Sequence, residues 1–562
     1  MWENADLSSL PSQLAARIES VTGVDPELRP ATKPQFGHFQ SNVALRLAKS
    51  QGRPPREVAA DIVATLDAAD LVETPEIAGP GFINFRLRTD LLAQAASELV
   101  ADPHAGIAQA TDPQRVVIDY SAPNVAKQMH VGHLRSTIIG DCFNRVLTAQ
   151  GHTVIPQNHI GDWGTQFGML VQYIVEHKVD VSALDLAETE QLYKDSKRLF
   201  DADLDFADRA RKRVVMLQSG DPQTRSIWTS LITVSLAGFN QTYARLGVLL
   251  TDDDLAGESI YNDDLPRVVQ ELEADGLAKE DDGALCVFVK GEDAPMIVRK
   301  KDGGYGYDAT DLAAIRRRVG QLKANRIIYV TDVRQHHHFD MVFAVARMAG
   351  FLPDDVTAEH VGYGMVLGPD GHPFKTRDGG TVSLASLLDE AEEHAAPNIA
   401  LAAIKYADLS NGLQKDYVFD AERMVQTTGD TGPYLQYAHA RVSQILRKAA
   451  AEADPQVDPQ VDLAGLDWGT VTVLEEPAEQ QLALLLSRFG ETVEVVAHDL
   501  TPHKLCTYLY DLAGTYSSFY EKCPVLKSEG QVRSSRLALC AATRRVLGSG
   551  LNLLGIDAPD RM

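Results

Sequence analysis

A strand, a helix and a second strand follow one another between residues 115 and 157, and this unit constrains the fold more than any other feature of the chain. Val116 to Tyr120 is a mostly apolar stretch of strand length that predicts a buried strand. The next apolar residues have helical spacing and stop at Gly151, a residue type that commonly ends helices. Val154 to Pro156 resumes a strand. Parallel strands joined by a crossover helix form parallel sheets, so the sequence predicts an α/β fold.

The same succession of strand and helix returns at residues 326–348. Its return predicts a Rossmann-like parallel sheet that is interrupted by an insertion at about residues 170–325. The insertion is expected to be largely helical, and its glycine pair predicts a hairpin around Lys301 to Gly304.

The two ends of the chain differ from this centre. Residues 1–105 combine helical spacing with one alternating apolar stretch, which predicts a small α+β domain. Residues 430–562 have helical spacing, which predicts an all-helical bundle. The sequence therefore predicts three domains, with the central one at residues 106–429.

Composition argues against a membrane or secreted protein. No run of about 18 apolar residues occurs, and the first residues lack the basic and apolar segments of a signal peptide. The five cysteines form no Cys-x-x-Cys pair, which indicates reduced thiols in a cytoplasm and no structural zinc site built on cysteine. No long basic extension is present, so a monomer is expected.

The net charge of −25 opposes binding to phosphate backbones, but a large protein can still carry a local basic face. Four arginines without an acid lie between Arg533 and Arg545. We interpret them as an ordinary solvated helix face.

The residues that join the first strand to its helix, Asp119 to Asp141, have the properties of a phosphate site. Free amides and the helix dipole favour anions at such a place. His130 and His133 share one face of the helix start and can donate hydrogen bonds to phosphate oxygens. Gly132 leaves room for a flat ring, and Lys127 adds a cation.

A short His-x-Gly-His pattern also arises by chance, and two histidines at this spacing can bind a metal ion. The sequence disfavours a metal because no acid or cysteine lies nearby at a useful spacing. The run His336 to His338 forms no joint site by itself, since consecutive residues diverge on a helix.

The segment from Ser121 to Asp141 resembles the signature of class I aminoacyl-tRNA synthetases, whose HIGH motif matches His130 to His133, and specifically the arginyl branch. Four further stretches resemble that family in the same order: residues 36–42, 158–168, 374–380 and 429–441. The resemblance implies that arginine is activated with ATP, as its Mg²⁺ complex, and transferred to tRNA(Arg). It also implies that activation needs bound tRNA.

The second signature of the class departs from its usual form. The KMSKS loop, whose lysines hold the triphosphate, corresponds to residues 369–379, and two alignments are possible. In one of them Pro373 and Thr376 replace both lysines and Lys375 falls at the serine, and in the other Lys375 matches the second lysine, so a lysine is missing either way. Arginyl enzymes commonly have a compensating lysine just before HIGH, where Lys127 stands. The resemblance thus implies catalytic roles for Lys127, His130, His133 and Lys375, with ATP held by Asn124, His130, Gly132, His133 and Lys375.

An arginine pocket needs a carboxylate aligned with the planar guanidinium. Tyr307 and Asp311 are four residues apart, and similarity to the family implies that they hold the guanidinium with help from Asp119. Asp311 could instead cap a helix. The resemblance assigns the amino and carboxyl groups of arginine to Ser121, Asn124, His133 and Gln335.

Contacts with tRNA are implied at both ends of the chain. The N-terminal domain resembles the module that touches the tRNA elbow, through Phe36, Phe39 and Gln40. Tyr434, Tyr437 and Arg441 share a helix face and could stack on anticodon bases, although the tyrosines could equally pack in a core.

Two other functions stay open at this stage. A nucleotidyltransferase such as a cytidylyltransferase would share the histidines and Gly132, but it needs no anticodon bundle. A catalytically inactive paralogue would only bind RNA, and the presence of Lys127, His130, His133 and Asp311 argues against it. Charging of tRNA with arginine distinguishes both from a synthetase.

Overall fold

The structure, a computed structural model, forms two compact units: Ala110–Gln426, and Met1–Gln109 together with Thr427–Met562. It describes residues 9–31, 33, 36–301, 303–373, 382–458 and 460–562.

The segment before Gln109 contains an antiparallel sheet of order β1-β2-β4-β3 with helices beside it. The first helix begins after Ser9, whose hydroxyl accepts a hydrogen bond from the Ser12 amide, and ends at Gly23 in the left-handed conformation. The elements are α1 (Leu10–Thr22), β1 (Leu28–Pro30), β2 (Phe39–Ser41), α2 (Val43–Gln51), α3 (Pro55–Thr65), β3 (Glu76–Ala78), β4 (Phe82–Phe85) and α4 (Thr89–Ala101).

The central unit is built on a parallel sheet of order β11-β10-β5-β6. Its elements are β5 (Arg115–Asp119), α5 (Val131–Ala149), β6 (Thr153–Gln157), α6 (Thr165–His177), α7 (Leu186–Ala202), α8 (Leu204–Ser219), α9 (Pro222–Leu246), α10 (Leu265–Ala274), β7 (Ala278–Asp281), β8 (Ala284–Val287), β9 (Met296–Arg299), α11 (Tyr307–Gly320), β10 (Arg326–Asp332), α12 (His336–Met348), β11 (Thr357–Tyr363), β12 (Val366–Leu367), α13 (Leu384–Glu392), α14 (Pro397–Leu409), β13 (Tyr417–Val418) and α15 (Ala421–Met424).

The two middle strands are buried, which explains their continuous apolar sequence. In the register of β5 and β10, Ile118 faces Ile328 and Asp119 faces Tyr329. The carboxyl end of β5 therefore lies beside β10, and the connections that follow both strands leave the sheet at the same edge. The predicted Rossmann-like sheet is confirmed.

The inserted region is largely helical, as predicted, but its hairpin lies elsewhere. Strands β7, β8 and β9 pair antiparallel, with the first turn at Gly283. The hairpin predicted around Lys301 to Gly304 is wrong, because β9 ends at Arg299 and α11 begins at Tyr307. Glycine there serves a turn from strand to helix, with φ of 83° at Gly303.

The C-terminal segment is helical, with α16 (Gly432–Ala453), α17 (Pro477–Leu486), α18 (Phe489–Asp499), α19 (Pro502–Lys522) and α20 (Gly530–Leu553). Helix α4 packs against α17 and α20, which joins both chain ends into one unit. All five cysteines lie in the described residues and are buried as free thiols. Within the described residues, we find no helix with the length and apolar character that a membrane crossing requires.

The interpretation of the arginines on α20 as a solvated face is wrong. Arg536 is buried and pairs with Glu479 at 2.6 Å. Arg533 pairs with Glu452 and Arg544 with Asp560, at 2.6 and 2.9 Å. These acids are distant in sequence, so the local absence of acids did not indicate solvent exposure.

Candidate active site

The connection from β5 to α5 has an unusual backbone. Ser121, Ala122 and Ala126 have positive φ angles of 72°, 49° and 63°. Residues with a side chain rarely adopt such angles unless their surroundings hold them there, and such positions cluster at functional sites. Here the Ala122 amide donates to Asn158 Oδ1 and the Ala126 amide to Ser235 Oγ. Tertiary contacts thus impose the shape of the segment.

Gly161, in the stretch at residues 158–168, is hydrogen-bonded to the connection from β5 to α5. Its backbone exchanges hydrogen bonds with Pro123 and Val125, both at 3.2 Å. A Cβ on Gly161 would lie 2.5 Å from Asn124 Oδ1, so a larger residue would displace the side-chain amide of Asn124.

The two signature histidines are held by the backbone at the start of α5. His130 precedes the helix, and its Nδ1 accepts a hydrogen bond from the Gly132 amide at 3.0 Å. Nδ1 of His133 accepts from the His130 amide at 3.1 Å. An accepting Nδ1 carries no proton, so both rings are neutral with the proton on Nε2. Both Nε2–H groups are then available as hydrogen-bond donors to a ligand.

The surroundings of these histidines favour the same neutral state. Burial, together with the neighbouring His130 and Lys127, lowers the pKa of His133 to about 3. Burial and Lys127 also lower the pKa of His130. Gly132 is needed for this arrangement, because a Cβ there would lie 2.8 Å from Cε1 of the His130 ring.

We expect both histidines to be neutral at about pH 7 and above, because both pKa values are lowered from the ordinary value of 6.5. Nitrogen-15 chemical shifts of the imidazole rings measure this directly. The expected spectrum has Nδ1 unprotonated and Nε2 protonated throughout. Protonation of Nδ1 near neutral pH would contradict the assignment.

Lys127 lies three residues before His130, and its charge contributes to the lowered pKa of both histidines. Its ammonium lies 4.4 Å from the centre of the Tyr193 ring on α7. Lys375 lies outside the described residues.

Asp311 is the fifth residue of α11, and Gly306 is the cap, so the alternative that Asp311 caps this helix is wrong. Its Oδ2 is bonded to Nε2 of His338 at 2.6 Å, and this contact raises the pKa of His338. Tyr307 begins the same helix and is 77% exposed. One turn of α11 thus presents a phenol and a carboxylate, as the spacing predicts.

Asp119 is buried and already has cationic partners. Its carboxylate lies 2.5 Å from Nη2 of Arg318 and 3.7 Å from Nδ1 of His159. Burial alone would raise the pKa of Asp119, but the two cations hold it below its usual value. Arg318 is itself fully buried over the ring of Tyr329. Asp119 therefore belongs to an ion pair within the protein.

The residues expected around the backbone of arginine differ in exposure. Ser121 is buried, and its hydroxyl lies 2.8 Å from Tyr243 and 2.9 Å from Thr137. Asn124 and Gln335 are exposed. Gln335 ends the short 3-10 turn that joins β10 to α12, at the carboxyl edge of the sheet.

Sequence reasoning missed a second acidic group near Asp311. The pKa of Glu258 is raised to about 7, mainly by burial, which outweighs the opposing charge of His159 and is reinforced by the charges of Asp162 and Asp311. Asp162 accepts hydrogen bonds from the amide and hydroxyl of Ser259, at 2.8 and 2.6 Å. Glu258 lies in the insertion, where no local pattern marks it, and only folding places it near Asp162.

The residues predicted to touch tRNA lie in the other unit. Phe39 is buried in β2, Gln40 donates to Asn84 Oδ1, and Phe36 is half-buried. On α16, Tyr437 is 47% exposed and, with Arg441, lines a cleft of 570 Å³. Arg441 lies over the ring of Tyr520, and Tyr434 contacts Tyr510.

A parallel sheet with two histidines at the start of its first crossover helix is typical of class I aminoacyl-tRNA synthetases, although other nucleotidyltransferases share it. Residues 95–421 match the family model described as tRNA synthetases class I (R), catalytic domain. Residues 435–562 match the DALR anticodon binding domain, and residues 8–87 match the arginyl tRNA synthetase N terminal domain. The chain belongs to the arginyl-tRNA synthetase family.

Individual arginyl-tRNA synthetases are similar to this chain over nearly its full length. The chain is 81% identical to an arginine–tRNA ligase of Cutibacterium acnes, over 99% of this chain and 100% of that protein. The arginyl-tRNA synthetase structure of Plasmodium falciparum matches with a TM-score of 0.82 at 27% identity, covering 99% of each chain. That of Thermus thermophilus matches with a TM-score of 0.78 at 26% identity, over 98% of this chain and 100% of the other.

Proposed function

We propose that this chain is an ATP-dependent arginine–tRNA ligase. Arginine and ATP give arginyl-adenylate and pyrophosphate, and the arginyl group then passes to the 3′ end of tRNA(Arg), which releases AMP. The observation that carries the proposal is the pair of neutral Nε2–H donors at the start of α5, beside the ammonium of Lys127.

In the first step, a carboxylate oxygen of arginine attacks the α-phosphorus of ATP, and the bond to pyrophosphate breaks. ATP enters as its magnesium complex. The Nε2–H groups of His130 and His133 stabilise the charge that develops on the phosphate oxygens, and Lys127 stabilises the departing pyrophosphate. We assign Lys375 to the same task, and Asn124 and Gly132 to binding of ATP. Positioning and charge stabilisation suffice, so the protein supplies no nucleophile.

Arginine is selected by carboxylates. We assign its guanidinium to Asp311 and Tyr307, with Glu258 as a second carboxylate. We give Asp119 only an assisting role, since its carboxylate is already paired with Arg318 and His159. We assign the amino and carboxyl groups of the substrate to Ser121, Asn124, His133 and Gln335.

Glu258 predicts a pH dependence of arginine binding. A guanidinium favours the ionised carboxylate, so binding below the pKa of about 7 releases a proton. The KM for arginine should therefore fall as pH rises toward 7, by at most about tenfold per pH unit. Above about pH 7 the KM should no longer change with pH. Glu258→Gln should remove this dependence of the KM for arginine on pH. Equal slopes in both proteins would exclude Glu258 from the pocket.

The remaining unit binds tRNA in this proposal. Phe36, Phe39 and Gln40 contact the tRNA elbow, and Tyr434, Tyr437 and Arg441 contact the anticodon. We further propose that the enzyme acts in the cytoplasm as a monomer and that bound tRNA is needed for activation of arginine.

Exchange of pyrophosphate into ATP tests the first step. With tRNA(Arg) present, arginine should support exchange and lysine should not, because lysine cannot make the bidentate contact. Exchange without any amino acid would favour a different nucleotidyltransferase. Binding of tRNA without exchange would indicate an inactive paralogue.

A further inference from the structure

Helix α7 of the insertion contacts the segment that precedes His130 and His133. The ammonium of Lys127 lies 4.4 Å from the centre of the Tyr193 ring. The amide of the next residue, Gln128, donates to Oε2 of Glu190 at 3.3 Å. Oε1 of Glu190 lies 2.9 Å from Lys194, which holds that carboxylate in place. One turn of α7 therefore contacts two consecutive residues of the segment.

The ring of Tyr193 is itself fixed by packing. It lies against a small apolar core formed by Met169, Phe206 and Ala210, which belong to α6 and α8. The position of the ring is thus set by three helices of the insertion. Because the ring is fixed, its contact with Lys127 also fixes the position of the ammonium.

An aromatic ring is suited to hold a catalytic cation. The face of the ring attracts an ammonium through its quadrupole, yet it adds no negative charge. A carboxylate in this place would neutralise Lys127 and compete with the phosphates. Lys127 lies three residues before His130, so the ring that contacts its ammonium also keeps that ammonium close to the start of α5.

We propose that Tyr193 is a positioning residue for arginine activation, which holds the ammonium of Lys127 beside His130 and His133 through a cation–π contact. The inference rests on the proposed role of Lys127. It gives the inserted helix α7 a part in the chemistry, although the insertion lies outside the parallel sheet.

Tyrosine variants test the inference in the full-length protein by arginine-dependent pyrophosphate exchange. Tyr193→Phe keeps the ring and should retain the wild-type kcat. Tyr193→Leu keeps apolar contact with the core but loses the π face, so kcat should fall about tenfold, the effect of a partly desolvated cation–π contact. The KM for arginine should stay the same. Tyr173→Leu is the matched control, since Tyr173 packs against the same core, and it should retain the wild-type kcat.

A double variant separates positioning from structural support. In a Lys127→Ala background, Tyr193→Leu should cause no further loss, because the cation is already absent. A further loss of about tenfold in that background, or a wild-type kcat for Tyr193→Leu alone, would overturn the inference. A wild-type protein without arginine-dependent exchange would instead refute the proposed function, and the inference with it.

A measurement on the wild-type protein covers the case in which Tyr193→Leu does not fold. Protons of the Lys127 side chain over an aromatic ring should be shifted upfield in spectra of lysine-labelled protein. Their absence at upfield positions would contradict the contact.

Discussion

Lys127→Ala is expected to lower kcat for arginine activation by about 100- to 1000-fold, the usual loss when one charge-stabilising group is removed from a reaction centre. Lys127 lies three residues before His130, and the second signature loop has at least one lysine fewer than the class usually carries. Lys127 therefore supplies a charge that the departing pyrophosphate needs. Single-turnover formation of arginyl-adenylate measures the loss directly.

Lys212→Ala is the control for this variant. Lys212 is an exposed lysine on α8 of the same unit, so its loss removes one charge without touching the site. It should form adenylate at the wild-type rate. Equal rates for Lys127→Ala and the wild type would remove Lys127 from the mechanism.

Asp311→Ala is expected to lower kcat/KM for arginine about 100- to 1000-fold while the KM for ATP stays unchanged. Removing one partner of a buried charge-assisted contact costs about 2–5 kcal/mol, and the expected loss lies in the middle of that range. The carboxylate is largely buried and bonded to His338, so it is held in one orientation for the guanidinium. Exchange kinetics at varied arginine and at varied ATP separate the two effects.

Asp308→Asn provides the comparison on the same helix turn. Asp308 accepts a hydrogen bond from the Ile297 amide, and an asparagine oxygen can accept the same bond. This variant should use arginine nearly as well as the wild type. If Asp311→Ala also uses arginine normally, the pocket lies elsewhere.

The elements that were predicted correctly have strong local patterns. Strand β5 and helix α5 combine a buried apolar run with a helical apolar face, and both appear where the sequence places them. The hairpin predicted at Lys301 failed because glycine pairs mark several kinds of turn, and only the pairing of strands distinguishes them.

The residues of the site were predictable to the extent that they lie in the signature segments. His130 and His133 follow from spacing, but the direction of their hydrogen bonds depends on the folded backbone. Contacts such as those of Lys127 with Tyr193, or of Asp119 with Arg318, join residues far apart in the chain. No local pattern encodes them, because tertiary packing determines which distant side chains meet.

The central claim is that this chain attaches arginine to tRNA. The most direct measurement follows labelled arginine into acid-precipitable tRNA, with purified protein, ATP, magnesium and tRNA(Arg). The account predicts charging that depends on ATP, accepts arginine and rejects lysine. A purified, folded protein that binds tRNA(Arg) yet leaves it uncharged with arginine would contradict the account.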